Sequence, residues 1–184
     1  MINKHLEPVF SLLLPELEKS DIQYWVLGGI GVAACVGKFV RENKDVDIFV
    51  KEEFFEKTKA VLSELCKDID MKVESHGDQF SRCKLEIKKN RKEILSVIPI
   101  FLEKNVIRFE YPGGDEIYSR KDLKPIERNI SEYRFFTPTK GFIVQKFFRH
   151  LAARPDKLNR DCVQEDISAI LRWGATLKAG ELES

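Results

Sequence analysis

Residues 25–50 read WVLGGIGVAACVGKFVRENKDVDIFV, and the fold follows from how this stretch divides. Tyr24, Trp25, Val26 and Leu27 form a short apolar run with the composition of a buried strand. Gly28 and Gly29 interrupt it, and residues 30–36 continue as an apolar segment with the character of a short helix. Glycine admits positive φ and lets the backbone approach a phosphate closely, while a helix start offers unpaired N–H groups and a favourable dipole. Fifteen residues after the glycine pair comes Asp45-Val46-Asp47-Ile48-Phe49-Val50. Side chains alternate along a strand, so Asp45 and Asp47 share one face while Val46, Ile48 and Val50 enter a core.

Two carboxylates on one face are half of a magnesium site. Hard divalent cations, Mg²⁺ or Mn²⁺, prefer oxygen ligands, and Mg²⁺ is commonly held by one or two carboxylates with substrate phosphates completing its shell. The expected co-substrate is therefore a nucleoside triphosphate (NTP). A lone glycine pair usually marks only a tight corner, and a lone Asp-x-Asp a solvated strand end. Their joint occurrence, with Arg41-Glu42 shortly before the aspartates, selects the phosphate and metal reading.

This stretch resembles the signature of the lincosamide and aminoglycoside nucleotidyltransferases, members of the DNA polymerase beta-like nucleotidyltransferase superfamily. The likeness is close over the motif and loose over roughly the first two thirds of the chain. It implies an α/β (α+β) fold, a mixed sheet flanked by helices, in which Gly28 and Gly29 hold the triphosphate and Asp45 and Asp47 bind catalytic magnesium. Arg41 stands where the family has a basic residue before the Asp-x-Asp strand. An acidic residue that relatives carry at the place of Ala33 is missing. Lys146 occupies a place comparable to a helix lysine that approaches the nucleotide phosphates. The segments 154–157 and 161–166 are similar to the family's Arg, Lys-Asp and Asp pattern near its end.

The resemblance also implies a third carboxylate on a later strand, acting as general base or further metal ligand. In Glu93-Ile94-Leu95-Ser96-Val97-Ile98-Pro99 it is Ser96 that falls at that place. Residues 84–87 and 93–98 flank the polar run 88–92 and read as a hairpin, which makes Glu86 the nearest replacement. A two-residue turn at Asn90-Arg91 sets Leu85 opposite Ser96 and sends Glu86 to the other face; a three-residue loop puts Glu86 beside Ser96. Glu110 is a weaker candidate.

A chain of 184 residues, 43% hydrophobic and 33% charged, has the size and composition of a small globular enzyme. Its formal net charge of +1 gives no general pull toward nucleic acid or anionic membranes, and the basic runs at 88–92 and 149–160 read as solvated faces. Cys35, Cys66, Cys83 and Cys162 lack zinc-site spacing, and Cys35 and Cys66 read as core filler. Pro8, Pro15 and acidic residues interrupt the N-terminal apolar stretch, so a signal peptide or membrane span is not expected and the chain reads as cytoplasmic. His5, His76 and His150 suggest no covalent nucleophile.

Helical spacing predicts helices over residues 6–19, 52–66 and 139–151, the last capped by Thr137-Pro138, and a final one from a cap at Asn159 through Arg172. Strands are expected over 70–73 and 105–110, a turn over 111–115, and a polar surface loop over 118–134. The domain expectation is a nucleotidyltransferase core over 1–136 and a helical segment over 137–184 in one compact unit, with monomer and homodimer equally open. Transfer of a nucleoside monophosphate, AMP by resemblance, to a small-molecule hydroxyl is the expected activity. The alternative is a catalytically impaired relative that binds a nucleotide or a protein partner, and Ser96 and Ala33 are the residues that favour it.

Overall fold

The computed structural model describes residues 3–76, 84–109 and 116–176. Strands β1 (Tyr24–Leu27), β2 (Val46–Lys51), β5 (Lys92–Glu103), β4 (Lys84–Lys89) and β3 (Lys72–His76) lie side by side in that order. The far end of β5 pairs with β6 (Val106–Phe109), which pairs with β7 (Glu116–Ser119). β2 and β5 run parallel, and the other neighbours run antiparallel. The expected mixed sheet is present.

Both faces of β1 are covered, Tyr24 and Val26 by one core and Trp25 and Leu27 by the other, which is why this strand is apolar without alternation. Val46, Ile48 and Val50 join Leu85, Leu95 and Val97 in a core closed by the N-terminal helical segment and α3 (Phe55–Asp68). Phe49 and Ile100 face the other way, with Trp25, Leu27, Phe142 and Ile170, toward α2 (Gly28–Val36), α4 (Lys140–Ala153) and α5 (Asp161–Gly174). Asp47 lies on the same side of β2 as Phe49, under the C-terminal helices.

Several expected elements shift for identifiable reasons. The helix expected over 6–19 is a 3₁₀ turn at Lys4–Leu6, a π-helical turn at Val9–Leu13 and an α-helix, α1, only at Leu14–Lys19. Pro15 has no N–H for the carbonyl four residues back, so the regular helix begins where proline sits in its first turn. The loop expected over 118–134 instead contains Tyr118 in β7 and a hairpin of β8 (Ile126–Ile130) and β9 (Tyr133–Thr137). Charged residues at Glu127 and Arg134 point outward and hid the alternation, while Tyr133 and Phe135 are buried and Phe10 stacks on Tyr133 at 4.7 Å. Thr139, not Thr137, caps α4 by accepting from the Phe142 N–H at 3.2 Å, because Thr137 still belongs to β9. Asn159 does not cap α5, whose N-cap is Arg160. β3 lies two residues later than expected at its start. Glu110, Cys83 and the expected turn over 111–115 lie outside the described residues.

Candidate active site

Leu27, the last residue of β1, pairs with Asp47, so the chain leaves the sheet directly beside that carboxylate. Gly28 follows with φ of 62°, and a Cβ there would collide with Asp47 Oδ2. Glycine is required twice over, by the left-handed backbone and by the carboxylate filling the space a side chain would need. Gly28 also opens α2, which has no side-chain N-cap, so the first N–H groups of this helix are left for a ligand or water. Gly28→Ala is expected to weaken NTP binding about tenfold and to cost about 1–2 kcal/mol of stability; titration calorimetry and thermal unfolding measure the two effects separately.

Gly29 meets a second group. A Cβ on it would strike Asn43 Oδ1 and Arg41 Nη2. Arg41 is clamped by Asp166 of α5 through Nε to Oδ1 at 3.0 Å and Nη2 to Oδ2 at 2.8 Å, and its Nη1 donates to the Glu42 carbonyl at 3.0 Å. Asn43 donates its backbone N–H to Asn3 Oδ1 at 2.6 Å, while its own Oδ1 is buried without a hydrogen-bond partner. The loop before β2 is thus tied through Arg41 to α5 and through Asn43 to the N-terminal segment, with both side chains lying close to Gly29.

Burial raises the Asp47 carboxyl to about 7, reinforced by the like charge of Asp45 and of Glu93, with Lys84 and the Ser96 hydroxyl pulling the other way. Asp45 is also raised, by burial first and then Glu93, against Lys84, Lys44 and Arg41. Ser96 Oγ is fully buried beside Asp47, yet no acceptor is well aligned with it. A cavity of about 1000 Å³ opens next to Asp45, with His5, Asn43, Lys44, Lys89 and Glu93 among its walls.

The register combines the two alternatives, the turn length of the first with the Glu86 placement of the second. The turn is the two-residue kind, with Asn90 and Arg91 at φ of 52° and 65°, and Lys89 pairs with Lys92. Lys88 pairs with Glu93 but Ile87 with Leu95, so Ile94 is an extra residue, a β-bulge. Glu86 therefore stands opposite Ser96, correcting the pairing of Leu85 with Ser96 that a plain two-residue turn requires. Asp47, Ser96, Glu86 and Glu74 form one row across four strands. Glu86 accepts ammonium contacts from Lys84 and Lys88 at 3.1 Å each and lies 3.2 Å from His76 Nε2. Burial acts to raise its carboxyl, but the two lysines outweigh it and hold it below the usual range. Ligand atoms of Glu74, His76 and Glu86 lie within 4.8 Å of one another, although the same lysines already neutralise the carboxylates.

Lys146 is buried in an ion pair with Glu116 and sits over the Phe109 ring at 4.8 Å. Besides Lys84, Lys157 in the turn between α4 and α5 interacts electrostatically with Asp47, and its Nζ lies 2.9 Å from His150 Nε2. Burial, then Lys157 and Lys146, push His150 down to about 4, so it is neutral near pH 7. Lys157 went unnamed as a site residue in the sequence reading, although the segment 154–157 carried part of the resemblance. Glu93 was missed as well, and its signal was the adjacent apolar pair Ile94-Leu95, which breaks alternation and has both members buried in the same core.

The glycine turn, the paired aspartates and the surrounding sheet lie within residues 9–120, which match the model of the aminoglycoside-2''-adenylyltransferase family. The chain belongs to this family. Its nucleotidyltransferase fold and enzyme class, expected from residues 25–50, are thereby established. A lincosamide resistance protein of Staphylococcus haemolyticus is 28% identical over 118 residues, covering 63% of this chain and 69% of the relative. The crystal structure of the lincosamide antibiotic adenylyltransferase LnuA, lincomycin-bound, superposes with a TM-score of 0.61 at 22% identity, covering 91% of this chain and 98% of that one. The solution structure of the antibiotic-resistance factor ANT(2'')-Ia gives 0.63 at 13% identity, covering 95% and 87%. These two likenesses extend the fold match past residue 120 into the C-terminal helices. Among the described residues of this family member, no helix is long and apolar enough to cross a membrane.

Proposed function

We propose that this chain transfers AMP from a nucleoside triphosphate to a hydroxyl of a small molecule of the antibiotic type, releasing pyrophosphate. The observation that carries the reading is Asp47, half-buried beside Asp45 and against the Gly28 turn, its carboxyl raised to about 7. Two half-buried carboxylates this close in sequence and on one face repel each other, and a divalent cation between protein and phosphates relieves that repulsion. The buried, poorly satisfied Ser96 Oγ adds oxygen density to the same face. The donor set therefore fits Mg²⁺ or Mn²⁺.

In this reading Asp45 and Asp47 hold the cation. Bound there, it would neutralise phosphate charge and favour attack at the α-phosphorus. Gly28 and Gly29 bring backbone N–H groups to the triphosphate, and Arg41, fixed by Asp166, keeps the turn's flank in place. Lys157, whose charge interacts with that of Asp47, would meet the phosphates, with Lys146, on α4, as the other candidate cation. The acceptor oxygen bonds to the α-phosphorus as the bond to pyrophosphate breaks, and its proton passes to a carboxylate, for which Glu86 is a candidate. LnuA was solved with lincomycin, which makes lincosamides the first acceptors to test.

Thermal unfolding with each ribonucleoside triphosphate, with and without Mg²⁺, tests the reading. At about a hundred times Kd a ligand stabilises the native state by roughly 2.7 kcal/mol. A shift requiring both metal and one triphosphate is expected, followed by pyrophosphate release when lincosamide or aminoglycoside acceptors are added. No shift with any triphosphate overturns it. Ser96 favours a second reading, nucleotide binding without turnover, and that reading holds if the shift occurs but no acceptor releases pyrophosphate.

A further inference from the structure

The bulge at Ile94 has a stereochemical consequence. Ile87 is buried in the core on one face of the sheet, and Glu86 and Lys88 flank it on the other, bridged by their own ion pair at 3.1 Å. Glu93 pairs with Lys88, so it too faces the side that carries Asp47, Ser96 and Glu86. Without the extra residue, strict alternation back from Ser96 would send Glu93 into the opposite core. Bulges recur next to active sites because they re-aim a side chain in this way.

Position along the strands matters as much as the face. Val46 is paired with Leu95, so Asp45, one residue earlier, lies alongside the bulge. Glu93 is on β5, the direct neighbour of β2, whereas Glu86 is on β4, two strands from Asp47 and so roughly 10 Å away at ordinary strand spacing. Lys84 bridges the two glutamates at 2.8 Å from Glu93 and 3.1 Å from Glu86, and its charge acts on both aspartates. A cation thus already lies near this carboxylate group in the absence of metal. The buried Ser96 Oγ, without an aligned acceptor, lies on the same face.

We propose that Glu93, turned onto the catalytic face by the bulge at Ile94, is the third carboxylate of the divalent-cation site, with Lys84 as the counter-ion that the metal displaces. This rests on reading Asp45 and Asp47 as the cation site. The experiment is titration of the purified protein with Mn²⁺ alone, free Mn²⁺ being followed by electron paramagnetic resonance. Glu93→Gln is expected to weaken Mn²⁺ binding about tenfold or more, and Ser96→Asp added to Glu93→Gln to recover most of the loss. Lys84→Met separates ligation from an ordinary ion pair: it leaves Mn²⁺ affinity equal or tighter if Glu93 is a ligand. Glu74→Gln, further out on β3, should bind as the wild type does. Should Glu93→Gln fail to fold, Glu93→Asp, which keeps the charge and shortens the reach, provides the same comparison. Wild-type Mn²⁺ affinity in Glu93→Gln, or an equal loss in Lys84→Met, overturns the proposal while leaving the Asp45 and Asp47 site standing. If Asp47→Asn binds Mn²⁺ as well as the wild type, the reading of the site fails and the proposal fails with it.

Discussion

Asp47→Asn is expected to lower pyrophosphate release by roughly 10³-fold, to abolish the Mg²⁺-dependent part of NTP stabilisation, and to make the metal-free protein more stable at pH 8. The third effect opposes the first two, so a mere folding defect cannot imitate the pattern. Asp47 has a carboxyl raised from 3.8 to about 7 by burial and by Asp45. Between those values the folded chain holds a proton that the unfolded chain has lost. Its contribution is most favourable below pH 3.8 and is lost as the pH climbs through 7. His150 works in the opposite sense, since its folded pKa of about 4 lies below the ordinary 6.5 and costs stability as the pH falls between them. The total pH profile therefore mixes the two, whereas the difference between wild type and Asp47→Asn isolates the aspartate. That difference should grow in favour of the variant from pH 6 to pH 8 without metal and reverse when Mg²⁺ and NTP are present. Melting curves at three pH values, with and without ligand, measure it. A variant less stable than wild type at pH 8 without metal would mean that Asp47 carries no unrelieved charge.

The glycine turn and the two aspartates were legible because both are local. A strand end followed by glycines fixes a turn, and alternation over three residues fixes a shared face. What could not be read from the sequence depends on pairing between strands. Whether Glu86 or Leu85 opposes Ser96 depends on one inserted residue, Ile94, and a bulge has no length signature in the loop that was being counted. Glu93 became a site candidate for the same reason. The β8 and β9 hairpin was missed because its outward positions are charged, which gives a polar average to a segment whose inward positions, Ile130, Tyr133 and Phe135, are buried. Arg41 was expected to serve the nucleotide. The sequence gives no hint that Asp166, 125 residues away, takes its guanidinium in a two-point grip.

That grip leads to the second large effect, at a residue outside the proposed metal and phosphate site. Asp166→Ala is expected to destabilise the fold by about 3 kcal/mol, since removing one partner of a buried ion pair leaves the other charge uncompensated. The two partners feel the pair differently. Burial raises the Asp166 carboxyl despite Arg41, while Asp166 holds the Arg41 guanidinium above its ordinary value despite burial. Asp166 is the more deeply buried, with 2% of its side chain exposed against 14% for Arg41, so the pair's net worth is small even though breaking it is costly. Replacing both residues by leucine should for that reason recover most of the stability. It should not recover nucleotide affinity. Arg41 Nη2 and Asn43 Oδ1 close the flank of Gly29, and α5 grips Arg41 there through the two hydrogen bonds to Asp166. Asp166→Ala should raise the KM for NTP about tenfold with a smaller change in kcat, because the loss falls on binding geometry and not on the reacting atoms. The double variant should keep that raised KM at near wild-type melting temperature. Urea unfolding and steady-state kinetics on the three proteins separate the two quantities. A double variant that regained both would reduce the Arg41–Asp166 pair to packing, and one that regained stability alone would show that α5 acts on the site through the glycine turn.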